Sequence, residues 1–104
     1  MRRLLPILVT VAVLLGSAGE VWSADYQKGW DAYVKEDYAT ALREWKPLAE
    51  QGHARAQFML GAMYEFGLGL PQNNKIAVKW YRLAAEQGNA DAQHKLGLTY
   101  QNGM

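Results

Sequence analysis

The sequence predicts an all-α protein built from stacked antiparallel helix pairs, and three observations predict it. The stretch at residues 49–68 returns thirty-six positions later at 85–104, and a repeat of that period marks an array of small supersecondary units. Within each unit apolar residues recur every three or four positions, the rhythm of a helix with one buried face. Glycine, proline and asparagine stand at matching places between those segments, where helices stop and start.

The first segment, residues 1–23, is expected to be a secretory signal peptide. Met1-Arg2-Arg3 is a short basic start, Leu4 to Leu15 is apolar apart from Thr10 and Pro6, and Gly16-Ser17-Ala18-Gly19 relaxes into small residues. That is the order of an export leader, and its apolar run is shorter than the roughly 20 residues of a membrane span. Cleavage after Ser23 puts Val21 and Ser23 at the two positions the peptidase reads, with cleavage after Ala24 the alternative. The expected location is therefore the periplasm or the exterior of a bacterial cell, with no stable membrane span once the leader is gone. The sequence contains no cysteine, so the exported chain has neither a disulfide staple nor thiol chemistry. Removing Arg2, Arg3 and Glu20 from the totals of 11 basic and 10 acidic residues leaves nine of each. A balance of that kind argues against a nucleic-acid partner, which requires a concentrated basic excess.

The second segment, residues 24–52, reads as a first helix pair, about Asp25–Lys35 and Tyr38–Gln51. Tyr38, Ala41, Leu42, Trp45, Leu48 and Ala49 form one apolar stripe, and Glu50-Gln51-Gly52 closes it. Gly52 is placed to take the left-handed conformation that ends a helix. Pro47 lies inside this helix and should kink it or cost a backbone hydrogen bond.

The third segment, residues 53–88, reads as a complete unit. Its first helix spans about Ala54 to Phe66, Gly67, Gly69 and Pro71 break it, and Asn73 or Asn74 caps the next. Ala77, Val78, Tyr81, Ala84 and Ala85 then repeat the stripe of the preceding pair, again closed by Glu86-Gln87-Gly88. The fourth segment, residues 89–104, is expected to hold only the opening helix of a further unit, about Ala90–Asn102.

Aligning 49–68 with 85–104 gives identity at Ala49, Glu50, Gln51, Gly52, Ala54, Ala56, Gln57, Leu60, Gly61, Tyr64 and Gly67, eleven of twenty positions. At about 100° per residue, the retained Ala56, Gln57, Leu60, Gly61, Tyr64 and Gly67 fall on one arc. The altered Arg55, Phe58, Met59, Ala62, Met63, Glu65 and Phe66 fall on the other. The retained arc is expected to pack repeat against repeat. Gly61 costs roughly 1 kcal/mol inside a helix relative to alanine, so its return as Gly97 implies that a side chain will not fit there. The altered arc is then free to carry what is particular to each unit.

Ala56-Gln57-x-x-Leu60-Gly61-x-x-Tyr64, the run Gly67-Leu-Gly-Leu-Pro-Gln-Asn73, and Ala77-x-x-Trp80-Tyr81-x-x-Ala84-Ala85-Glu86-Gln87-Gly88 together resemble the Sel-one-like repeat, a relative of the tetratricopeptide repeat. The resemblance covers one full unit, most of a helix pair before it and the first half of another after it. It implies a short right-handed α-solenoid of antiparallel helix pairs. It also implies a non-catalytic role in holding or assembling other proteins, frequently among exported bacterial proteins. Some cysteine-rich relatives bind or hydrolyse β-lactams, so a related hydrolase is the alternative reading, although the cysteines of those relatives have no counterpart here. A further alternative is that the chain is an incomplete fragment of a longer repeat protein.

No residue pattern announces a reaction or a cofactor. Ser17 and Ser23, the only serines, lie in the leader, and Thr40 and Thr99 have no base placed beside them by sequence. His53 reads as a solvent-exposed turn residue and His94 stands at the position of Phe58; neither has a second ligand three or four positions away, so a zinc site is not expected. Asp31, Glu36 and Asp37 read as a solvated helix end. The glycines near Gly67 lack the lysine and spacing of a phosphate-binding loop.

The altered arc supplies the expected partner-binding residues: Arg55, Phe58, Met59, Met63 and Phe66 in the complete unit, with His94 and Lys95 in the last. An apolar patch with flexible methionines suits a groove that accepts varied protein or peptide segments. The competing reading buries Phe58 and Met59 against Trp30 or Tyr33 of the preceding pair.

Overall fold

A computed structural model describes residues 24–101; the leader expected over residues 1–23 lies outside them. Their secondary structure is entirely helical: α1 (Tyr26–Val34), α2 (Tyr38–Glu50), α3 (Ala54–Phe66), α4 (Asn74–Glu86) and α5 (Ala90–Gln101). The principal contacts run between helices consecutive in sequence, so the chain stacks as a short helical solenoid. Such stacking follows from composition, because each amphipathic pair leaves a face that only the next pair can cover.

Every helix begins on a side chain that takes up an orphan backbone N–H. Asp25 accepts from the amides of Gln27 and Lys28, and Asp37 accepts from Thr40. Asn73 Oδ1 accepts from Ile76 N at 3.0 Å and Asn89 Oδ1 from Ala92 N at 2.8 Å. His53 fills the same role with a ring nitrogen: its Nδ1 accepts from Ala56 N at 3.1 Å, and its ring stacks on Tyr26 at 5.2 Å. It is half-buried. The expectation of an exposed turn residue is thereby corrected. A histidine was not read as a cap because caps are ordinarily oxygen-bearing side chains.

The stops are equally local. Gly52 and Gly88 follow α2 and α4 at φ values of 97° and 92°, and Gly67 ends α3 at φ 66°. Pro47 does not break α2, which runs from Tyr38 through Glu50.

Two clusters of buried side chains hold the stack together. The first joins Ala32, Ala41, Trp45 and Ala49 of the opening pair to Ala56, Met59, Leu60 and Met63 of α3. Trp45 is fully buried, donates its Nε1–H to the Tyr26 carbonyl at 3.0 Å, and lies 5.5 Å from the rings of both Tyr26 and Tyr33. The second cluster joins Ala77, Tyr81 and Ala84 of α4 to Ala92 of α5, flanked by Phe58 and Tyr64.

The α3–α4 loop is part of the packing rather than a free connection. Leu68 and Leu70 fold back onto the first cluster, and the Leu68 amide donates to the Met63 carbonyl at 2.9 Å. Gly69 lies against Tyr38, where an added Cβ would meet the Tyr38 Cβ at 2.7 Å. The first pair has no such loop. It turns through Glu36, a non-glycine residue at φ 63°.

The division of α3 into a packing arc and a free arc does not hold. Met63 is fully buried, and Met59 and Ala62 are each 7% exposed. An inner helix of a stack has neighbours on both sides, so part of its altered arc is also core, while Arg55 and Phe66 of the same arc stay exposed. The retained Gly61 faces Tyr81 within its own pair, whereas Met59 and Met63 make much of the seam with the pair before.

Candidate protein-binding surface

One altered position, Met59 in α3 and Lys95 in α5, changes together with its neighbour. Register on the helix-packing glycines aligns Tyr33 with Glu65, four residues after Gly29 and Gly61 respectively. In the first pair Tyr33 packs its ring against Trp45 at 5.5 Å. In the second, Glu65 Oε1 accepts a hydrogen bond of 2.6 Å from the Tyr81 hydroxyl. Lys95, which stands where α3 has Met59, then pairs with Glu65 at 3.1 Å. An apolar contact in one unit has become a charged, hydrogen-bonded one in the next. Burial, and then the Glu65 carboxylate bound to its hydroxyl, push the Tyr81 phenol well above the ordinary tyrosine range.

A groove of about 370 Å³ opens across α1, α3 and the start of α5, lined by Tyr26, Gln27, Trp30, Arg55, Phe58, Met59, Asn89 and Asp91. Tyr26 and Trp30 stand four residues apart on one face of α1, as helical neighbours do. Trp30 is 40% exposed and stacks on Tyr33 at 5.6 Å, which leaves ring surface facing solvent. The Arg55 guanidinium lies 5.9 Å from the centre of the Tyr26 ring, within the range of a cation–π contact. Burial raises the Tyr26 phenol and the nearby Arg55 charge partly opposes it. Phe58 closes the floor, its ring 5.5 Å from that of Tyr81.

Arg55 and Asp91 occupy the same repeat position, thirty-six residues apart, and both line this groove. It therefore presents a cation from one unit and an anion from the next, with aromatic walls between. Neither is sequestered, since both are exposed.

The structure divides the residues expected to bind a partner into four sets. Arg55, Phe58 and the edge of Met59 come together in the groove. Phe66 and Lys95 form a separate cluster, with the Lys95 ammonium 5.0 Å above the Phe66 ring and Phe66 58% exposed. Met63 belongs to neither: it is fully buried in the first cluster and has no surface to offer a partner. Met59 too is largely core. His94 is exposed and lines neither this groove nor the smaller one beside α5. Sequence reasoning missed Tyr26, Gln27, Trp30, Asn89 and Asp91 as lining residues. The signal for Tyr26 was its spacing from Trp30; Asn89 gave none beyond its place at a cap.

Among the described residues, no group of histidine, aspartate and glutamate side chains could hold a metal ion, and no helix is long and apolar enough to cross a membrane.

This assembly of helix pairs defines a helical-repeat scaffold, and comparison with known families makes the class specific. The Sel1 repeat family matches residues 54–89 and again 90–104. The chain is a Sel1-like repeat protein of the tetratricopeptide-related superfamily. Comparison with curated proteins and with solved structures returns no match. Sel1 repeats are generally non-catalytic and suggest a scaffold for protein–protein interaction.

Proposed function

We propose that the protein is an exported, non-catalytic scaffold that holds a protein or peptide segment in the groove between α1 and α3. The observation that supports this reading is the groove itself, with Tyr26, Trp30 and Phe58 as walls and Arg55 and Asp91 as opposite charges. Exposed aromatic and arginine side chains in a concavity are the usual anchors of a binding surface. The opposed charges would fix the direction in which a segment lies. Among the lining residues the sole hydroxyl is that of Tyr26, so the groove offers no serine or threonine nucleophile for a hydrolase.

The export half of the proposal rests on the basic start and apolar run of residues 1–15. Fusing residues 1–30 to a reporter enzyme active only outside the cytoplasm tests it, and a silent reporter refutes export. For the binding half, a partner retained by the natural protein should be lost from Trp30→Ala and Arg55→Glu variants whose circular dichroism is unchanged. Equal retention by both variants refutes the groove.

A further inference from the structure

Four of the side chains lining the groove of α1, α3 and α5 are held in place by contacts within the fold. The Arg55 guanidinium lies 5.9 Å from the centre of the Tyr26 ring, and Trp30 stacks on Tyr33 at 5.6 Å. Asn89 Oδ1 accepts from the Ala92 amide at 2.8 Å, which fixes the orientation of its own amide group and leaves Nδ2 as the atom on offer. Gln27 is fixed the other way round: its Nε2 donates to Asp31 Oδ1 at 2.9 Å, so Oε1 is the atom on offer.

What these amides offer is complementary to a peptide unit. A main-chain carbonyl needs a donor and a main-chain N–H needs an acceptor; Asn89 and Gln27 supply one of each. A helical ligand has already bonded these groups within itself, whereas an extended one leaves them for its host. The two charges of the groove complete the set. Among the described residues, neither Arg55 nor Asp91 has an oppositely charged partner within ion-pair distance. They stand at one repeat position of consecutive units. Neighbouring helices lie about 8–10 Å apart, a span that an extended chain covers in about three residues.

We propose, resting on the groove as the binding surface, that its occupant is an extended segment of a partner protein with a fixed order of charges. The main chain of the segment bonds to Asn89 and Gln27. An acidic side chain pairs with Arg55 and a basic one, about three residues away, pairs with Asp91. An apolar side chain between them lies against Trp30 and Phe58. Because the fold already holds Arg55, Trp30, Asn89 and Gln27 in place, little side-chain freedom is lost on binding.

The probe is a library of random heptapeptides displayed on phage and selected on the immobilised full chain and on its variants. Enriched peptides should carry an acidic and a basic residue about three positions apart in one order. That order should reverse on the Arg55→Asp, Asp91→Arg double variant, whose circular dichroism should be unchanged because both sites are exposed. An enriched peptide, made free and titrated by fluorescence anisotropy, should bind roughly tenfold or more weakly once a lactam locks it helical. It should also bind several-fold more weakly to Asn89→Ser, where serine keeps the helix cap but withdraws the amide donor. Enrichment that is lost on Trp30→Ala, yet shows no charge order or an order that survives on the double variant, overturns the proposal and leaves the groove as the binding surface. A helical form that binds as well as the extended one does the same. Enrichment no stronger than on Trp30→Ala overturns the groove itself, and the proposal with it.

Discussion

Gly61 lies directly beneath Tyr81, so close that a Cβ on the glycine would stand 2.5 Å from two ring carbons and 3.2 Å from the Ala77 carbonyl oxygen. No rotation of a buried ring in so narrow a space clears that overlap, so α3 and α4 would have to move apart. At Gly97 the same substitution meets nothing. Alanine should therefore act with opposite sign at two equivalent positions. Gly61→Ala is expected to cost about 1–3 kcal/mol through overpacking. Gly97→Ala should gain up to about 1 kcal/mol from helix propensity. Urea unfolding of the two variants measures both, and the same sign for each would refute the packing described.

The two exposed-looking ends of the apolar run in α3 also part company. Met63 is fully buried between the first pair and α3, and a charge there cannot be solvated. Met63→Glu is expected to unfold the chain, since several kcal/mol is a large part of the roughly 5–15 kcal/mol that stabilises a domain. Phe66→Glu, at an exposed site below the Lys95 ammonium, should change stability by about 0.5 kcal/mol or less. Thermal melts followed by circular dichroism separate the two outcomes.

How far the sequence could be read depended on whether a feature was local. The limits of α3, Ala54 and Phe66, are set by a cap on one side and Gly67 on the other, and were legible as such. The stops at Gly52 and Gly88 and the cap at Asn73 follow from the same kind of local chemistry. Gly61 announced a close approach, which was expected between repeats, whereas the neighbour is Tyr81 of its own pair. Met59 and Met63 looked free because they differ from Lys95 and Thr99. For Met59 and Lys95 the difference is answered by a distant change, Glu65 standing where the preceding unit has Tyr33, which no single-helix pattern can reveal. Glu44 was invisible for a related reason. It is a charged residue on the buried face of α2, tolerated because its Oε1 accepts from the Asp25 amide at 2.9 Å.

The turn of the first pair holds a backbone cost that can be removed. Glu36 adopts φ 63°, a conformation that a residue with a Cβ takes only at a penalty of roughly 1–2 kcal/mol. Its side chain is exposed. Glu36→Gly should therefore stabilise the chain by up to about 1 kcal/mol, part of the relief being offset by the greater freedom of glycine in the unfolded state. A raised urea midpoint with an unchanged slope would support this, and a lowered one would refute it.

Alkaline pH should weaken the fold through Tyr81. Its phenol is pushed well above the ordinary value of 10.0, first by burial and then by the Glu65 carboxylate that its hydroxyl binds. Below about pH 10 both the folded and unfolded chains hold this proton, and the stabilisation is fully present. Above that value the unfolded chain releases the proton while the folded chain keeps it, so unfolding is favoured by about 1.4 kcal/mol per pH unit. Tyr81→Phe removes both the titration and the hydrogen bond. The variant should be less stable by about 1–2 kcal/mol at neutral pH, yet lose stability more slowly between pH 10 and 11 than the natural chain. Burial also raises Tyr26, so part of the alkaline loss should persist in the variant. Urea midpoints measured from pH 8 to 11 provide the test: parallel curves for the two proteins would show that Tyr81 does not keep its proton in the folded state.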